Sequence, residues 1–218
     1  MRRALLALLL WGCGAAQPPL PPGACSPMPE GEDARPWETH GYRIPVPWFA
    51  PKRGAERPRV VVQVFSDFEC PYCARATPTL ERVLEDYGEC VQVVWRHRPM
   101  PYHPHAALAA QASTEVYAQR GDDAFWRYHD ALFAAQGELS RAVIEREAEA
   151  LGVDLERLRA ALDEGAHQHV IDRDRAAVAA TELEAGTPSF FVNGAFIHGA
   201  RSYRVFAHHI ERALRSQP

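Results

Sequence analysis

The run Val60-Val61-Val62-Gln63-Val64-Phe65 is apolar at every position but one and rich in β-branched side chains, the composition of a strand buried on both faces. Beyond it the spacing lengthens. Leu80, Val83, Leu84 and Tyr87 fall at i, i+3, i+4 and i+7, which predicts a helix over residues 74–87 closed by Gly88. Val91 to Trp95 returns to the strand pattern and completes a β-α-β unit. Tyr42 to Pro47 is expected to add a short edge strand ahead of it.

From His103 to about Leu183 the pattern is helical throughout. Helices are expected over residues 106–117 and 124–133. Two more are expected over 140–151, with Ser140 as N-cap and Gly152 as stop, and over 154–162, with Asp154 as cap and Gly165 as stop. A fifth runs from about Val170 to Leu183. Strand residues return in Ser189-Phe190-Phe191-Val192 and Phe196-Ile197-His198, joined through Asn193-Gly194, a pair that readily takes the positive φ of a tight hairpin turn. A final helix is expected from Ser202 or Tyr203 to Leu214.

The front of the chain follows none of these rhythms. Arg2-Arg3 followed by the apolar stretch from Ala4 to Trp11 has the form of an export signal, long enough to be recognised and too short to span a bilayer. Two processing routes fit it. Leu10-Trp11-Gly12-Cys13 is similar to a bacterial lipobox, in which Cys13 is lipidated, although Trp11 stands where a small residue is usual; ordinary cleavage after Gly14-Ala15-Ala16 is the other. Seven of the 18 prolines then fall between Pro18 and Pro36, a composition that favours extended chain over a packed core. The expected organisation is therefore a signal peptide over residues 1–12, a Pro-rich tether over 13–40 and one folded domain over 41–218. The helical insertion occupies about residues 103–183 of that domain.

With 218 residues, 47% of them hydrophobic, the chain can bury one good core, and a net charge of −4 offers no basic face for nucleic acid. The chemistry concentrates at Cys70-Pro71-Tyr72-Cys73, placed where a strand gives way to a helix. A zinc site would need two more ligands. His103 with His105, or His167 with His169, are the pairs that could be drafted, and neither comes with a second Cys-x-x-Cys, so neither a metal nor another cofactor is expected.

The stretch Phe65-Ser66-Asp67-Phe68-Glu69-Cys70-Pro71-Tyr72-Cys73, the inserted helices and the later Gly186-Thr187-Pro188-Ser189-Phe190-Phe191-Val192-Asn193-Gly194 together resemble the DsbA family of thiol-disulfide oxidoreductases. Pro78, five residues after Cys73, stands where thioredoxin-like helices carry a kinking proline. The resemblance spans roughly residues 59–215. It implies an α/β thioredoxin-like fold with a helical insertion between a β-α-β and a β-β-α unit. It also implies that Pro188 is cis beside the redox pair and that Thr187 offers its backbone to an extended substrate, with Pro71 and Tyr72 facing that substrate.

A cysteine in the first turn of a helix has its thiolate favoured by unpaired N–H groups and the helix dipole, so Cys70 is expected to be the nucleophile. Cys73, one turn deeper, is expected to resolve mixed disulfides. The partners implied are cysteine-containing exported proteins and a membrane redox protein that reoxidises the pair, and the membrane itself if Cys13 carries lipid. A dithiol oxidase is the favoured reading. The alternatives are a reductase, since Pro-Tyr is the glutaredoxin dipeptide, and a non-catalytic tethered peptide-binding chaperone.

One departure from many thioredoxin-like proteins is Val64, where a buried acid would relay a proton from the resolving thiol. Asp67 and Glu69 are expected at the surface, slightly opposing thiolate formation at Cys70. His97 is a candidate for lining the loop near the site, and His103, His105, His167, His169, His208 and His209 are expected on solvated surfaces. Phe125, Trp126, Tyr128 and Phe133 are expected in the core, and Asp172 to Arg175 on a solvated helix face. With Cys13 lipidated or removed and Cys70 paired with Cys73, Cys25 and Cys90 remain. They form a structural disulfide or stay as two unpaired thiols.

Overall fold

The computed structural model describes residues 41–216. The expected signal peptide and the whole of the tether, with Cys13 and Cys25, lie outside the described residues. Five strands form one sheet in the order β1-β3-β2-β4-β5: β1 (Lys52–Gly54), β2 (Val60–Ser66), β3 (Val91–His97), β4 (Ser189–Val192) and β5 (Ala195–His198). β2 and β3 are parallel, joined across the sheet by α1 (Pro71–Tyr87), and every other pairing is antiparallel.

Between β3 and β4 stand α2 (Ala106–Ala134), α3 (Arg141–Glu149), α4 (Leu155–Glu164) and α5 (Gln168–Ala179), and α6 (Tyr203–Arg215) follows β5. The two helices expected over 106–117 and 124–133 are one run broken at Gly121, whose φ of 75° and ψ of −164° only glycine adopts without strain. Ser140 and Asp154 cap α3 and α4 as expected, accepting from the N–H of Val143 and Arg157. Asn193 and Gly194 turn the hairpin with φ of 44° and 86°. The Asn193 side chain then ties that turn to β2, accepting from Val61 N and donating to Arg59 O.

Both faces of β2 are buried, as its unbroken apolar run requires. Val60, Val62 and Val64 pack with Val91, Val93, Trp95, Phe190 and Val192 under α1 and α6, in a core that continues into the inserted helices. Phe65 faces the other way and packs with Phe191, Ile44 and Val178 of α5. Phe125 and Tyr128 are buried in the first core, and Trp126 nearly so.

The expected edge strand over Tyr42 to Pro47 is not one. That segment is irregular, and the edge strand is β1, paired with β3. Pro45 and Pro47 carry no N–H to give to a ladder, which is why an apolar-looking run there does not become a strand. The expectation for Asp172 to Arg175 also fails in part. Asp174 is buried between α5 and the sheet, where its carboxylate accepts from Arg96 Nε and from His97 N, each at 2.6 Å. Arg96 also donates to Gln63 Oε1 and Pro45 O.

Candidate active site

β2 ends at Ser66 and α1 begins at Pro71, so the four residues 67–70 make the turn on which the chemistry sits. Asp67 shapes that turn from within. Its main-chain oxygen accepts from Cys70 N at 3.1 Å and its Oδ1 accepts from Glu69 N at 2.7 Å. Cys70 is the N-cap of α1 and Pro71 its first residue, a position where proline's missing N–H costs nothing. No side chain caps this helix, so its first N–H groups are left to face the Cys70 sulfur.

The two thiols differ in kind. Cys70 is 5% exposed and Cys73 2%, and both are free. The Cys73 thiol, hydrogen-bonded to the Cys70 sulfur, lowers the Cys70 pKa to about 5 against the opposing effect of burial, and the Thr187 side chain and the N–H groups of Cys73 and Tyr72 add to the lowering. Burial pushes Cys73 well above its ordinary value, and the hydrogen bond and charge of Cys70 push it further, only partly offset by the Ser66 hydroxyl and Asp67 N–H. One sulfur of the pair is therefore ionised at neutral pH and its neighbour holds its proton. That is the asymmetry a thiol-disulfide exchange requires, because the ionised sulfur attacks and also leaves readily.

Opposite Cys70 runs the segment before β4. The Thr187–Pro188 peptide bond is cis, and in the thiol form Cys70 Sγ donates to Thr187 O at 3.3 Å. Pro188 is buried, whereas Tyr72 is 53% exposed with the Arg75 guanidinium 4.2 Å over its ring. Cys70, Cys73, Thr187, Pro188, Pro71 and Tyr72 thus meet at one end of the sheet. Cys90 is at the other end, just before β3, and is disulfide-bonded. Its expected partner, Cys25, lies outside the described residues.

Asp67 and Glu69 are not the surface charges expected of them. Asp67 is buried, and its Oδ2 accepts from Met100 N and pairs with His103 Nδ1, both at 2.7 Å. Glu69 accepts from His105 N at 2.6 Å and meets His105 Nδ1 at 3.2 Å. The two carboxylates therefore bind the loop before α2 to the turn that carries Cys70.

His97 does not line the site either. It is buried in the core, accepting from Trp95 Nε1 and bonded to Thr114 Oγ1, and burial lowers its pKa to about 3. His167 is paired with Glu115 and only partly exposed, and His129 is buried against Trp95 and Phe133. Val64, where an acid was missing, is fully packed in the core. Nothing in the local sequence pattern marks these carboxylate–histidine pairs. His103 and His105 lie 36 residues beyond Asp67 and Glu69 respectively and reach them only when the insertion docks.

A family model described as a DSBA-like thioredoxin domain matches residues 61–211. The Na(+)/H(+) antiporter NhaA 3 of Salinispora tropica is 43% identical over 155 residues, a stretch that covers 67% of this chain and 22% of that protein. The chain spans about a fifth of the length of such curated relatives, and among the described residues no helix is long and apolar enough to cross a membrane. A thioredoxin-like oxidoreductase from Silicibacter pomeroyi superposes with a TM-score of 0.69 at 26% identity, over 78% of this chain and 95% of that one. A periplasmic thioredoxin-like protein from Salmonella enterica serovar Typhimurium superposes with a TM-score of 0.64 at 21% identity, over 77% and 91%. The sheet, the insertion and the match across most of the folded residues agree: the chain belongs to the DSBA-like thioredoxin-domain family.

Proposed function

We propose that the protein is a thiol-disulfide oxidoreductase that works outside the cytoplasm in the oxidising direction, introducing disulfides into exported proteins. The observation that carries the reading is the opposite displacement of the two thiols, Cys70 down to about 5 and Cys73 up. A substrate thiolate attacks Cys70 Sγ of the Cys70–Cys73 disulfide, and Cys73 departs and takes up a proton. A second substrate thiolate then attacks the substrate sulfur of the mixed disulfide. The substrate leaves oxidised by two electrons and Cys70 leaves as a thiolate. Its low pKa makes that last departure easy and stabilises the reduced enzyme, which is what makes the disulfide form an oxidant.

In this reading Thr187 and Pro188, with Pro71 and Tyr72, receive the extended substrate segment, and Cys73 resolves mixed disulfides that stall. A membrane redox protein reoxidises the pair. The export signal, the lipobox-like Cys13 and the Pro-rich tether support placement at the membrane surface. Cys90, engaged in a disulfide, supports pairing with Cys25.

One experiment tests the set: peptide mapping, without reduction, of a Cys73→Ala variant expressed with its leader. The expected map has exported proteins linked to Cys70, a Cys25–Cys90 peptide and a lipid on Cys13. A Cys70 free of adducts would contradict the catalytic assignment. An alkylatable Cys25 would remove the structural disulfide, and an N-terminus downstream of Cys13 would remove the anchor.

A further inference from the structure

The turn that carries Cys70 is also held from a direction that neither Cys-x-x-Cys nor Thr-Pro motif involves. Gln136 opens the short 3-10 turn Gln136–Glu138 after α2, and its side-chain Nε2 donates to Phe68 O at 2.7 Å and to Cys70 O at 3.0 Å. We propose that Gln136 is a positioning residue for thiol-disulfide exchange, by which the helical insertion sets the orientation of the Cys70 turn and the charge around its sulfur.

The geometry leaves few other ways to hold that turn. Pro71 has no N–H, so the peptide plane between Cys70 and Pro71 can be gripped by hydrogen bonding only through the Cys70 carbonyl. From inside α1 that carbonyl accepts from Cys73 N at 2.9 Å and Ala74 N at 3.3 Å. Gln136 supplies the grip from outside the helix. A primary amide suits the task because one nitrogen carries two hydrogens, one for each carbonyl, with no net charge beside the thiolate. Drawing negative charge off the Cys70 oxygen favours an anion on the same residue, and a fixed carbonyl holds the first turn of α1, with its Tyr72 N–H, beside the sulfur.

The inference rests on the reading that Cys70 is the attacking thiol, and the test separates the two. Cys70 ionisation in the reduced full chain is followed by thiolate absorbance and by alkylation rate for wild type, Gln136→Leu and Gln136→Asn. Leucine keeps most of the volume and removes the donor; asparagine keeps the amide and withdraws it by one methylene. The other titratable or charged groups around the turn, Cys73, Asp67, Glu69, His103, His105 and Arg75, are common to all three proteins.

The expected result is an upward shift of the Cys70 midpoint in both variants. A rise of about one unit slows alkylation about fivefold at pH 5 and changes it less than about twofold at pH 8. A purely structural role would lower the denaturation midpoint and leave the Cys70 titration where it is in wild type, which overturns the proposal. Should the leucine variant not fold, the asparagine variant decides by the same criterion. A wild-type Cys70 that stays protonated at neutral pH instead refutes the nucleophile assignment itself, and this proposal with it.

Discussion

At the scale of single residues, a thiol that ionises at about 5 in the fold and near 9.0 when unperturbed couples the stability of the reduced protein to pH. Between those values the folded reduced chain carries a thiolate at Cys70 and the unfolded chain a thiol, so unfolding takes up a proton. Stability from this source is complete above the unfolded value, falls as pH drops through the window, and is gone below about 5. Cys73 is displaced upward, so its own contribution has the opposite sign and sets in only as pH nears the unfolded value. The oxidised protein has neither thiol. Denaturant midpoints of the reduced form should therefore rise relative to the oxidised form from pH 5 to pH 8; a constant difference would contradict the Cys70 shift.

The residues of this chemistry differed in how legible they were. Cys70, Cys73, Thr187 and Pro188 sit in short contiguous motifs that local sequence displays. Gln136 lies in Ala135-Gln136-Gly137-Glu138, between helices and without periodic signal, and only the docking of the insertion brings it to Cys70.

At the scale of elements, β2, β3 and α5 are joined by a buried charge pair that hydrophobic patterning could not show. Arg96 and Asp174 lie on the sheet face opposite α1, with Gln63 Oε1, Pro45 O and His97 N completing their hydrogen bonds. Burial raises the Asp174 pKa while Arg96 draws it down. Removing one partner strands the other charge in the interior, which costs about 3–5 kcal/mol. Asp174→Ala should lower unfolding free energy by that order in urea titration, while leaving the alkylation order of Cys70 and Cys73 unchanged in the folded fraction. A loss under about 1 kcal/mol would mean that the pair is not desolvated as the packing indicates.

Asp172 to Arg175 alternates in charge, and alternation alone cannot tell a solvated stripe from one buried member of it. The strands were more legible where they are central. β2 and β3 are mostly apolar and β-branched, which marks them as strands, whereas β1 is a polar three-residue edge held by its pairing with β3 and by the Asp122 carboxylate on Lys52 N.

At the scale of the whole molecule, the fold keeps two sulfur chemistries apart. The registers place Val60 beside Val91 at one end of the central strands and Ser66 beside His97 at the other. Cys90 is at the first end and Cys70 at the second. The insertion closes over the second end, supplying Gln136, His103 and His105 to a turn whose cysteines come from the β-α-β unit. This layout keeps the Cys70–Cys73 pair away from the disulfide at Cys90. The β-α-β unit, the later hairpin and the position of the insertion between them were legible because each follows from local rhythm; the closure was not, because it depends on polar contacts between distant segments.

The claim on which the account turns is that stabilising the Cys70 thiolate makes the Cys70–Cys73 disulfide oxidising. Equilibrating the purified protein with defined ratios of reduced and oxidised glutathione at pH 7, and reading the fraction of Cys70–Cys73 that is oxidised, measures this directly. A potential of about −120 to −180 mV is expected, toward the oxidising end of the range of thioredoxin-fold couples. A potential of about −270 mV or lower, as for a reductant such as thioredoxin, would contradict it.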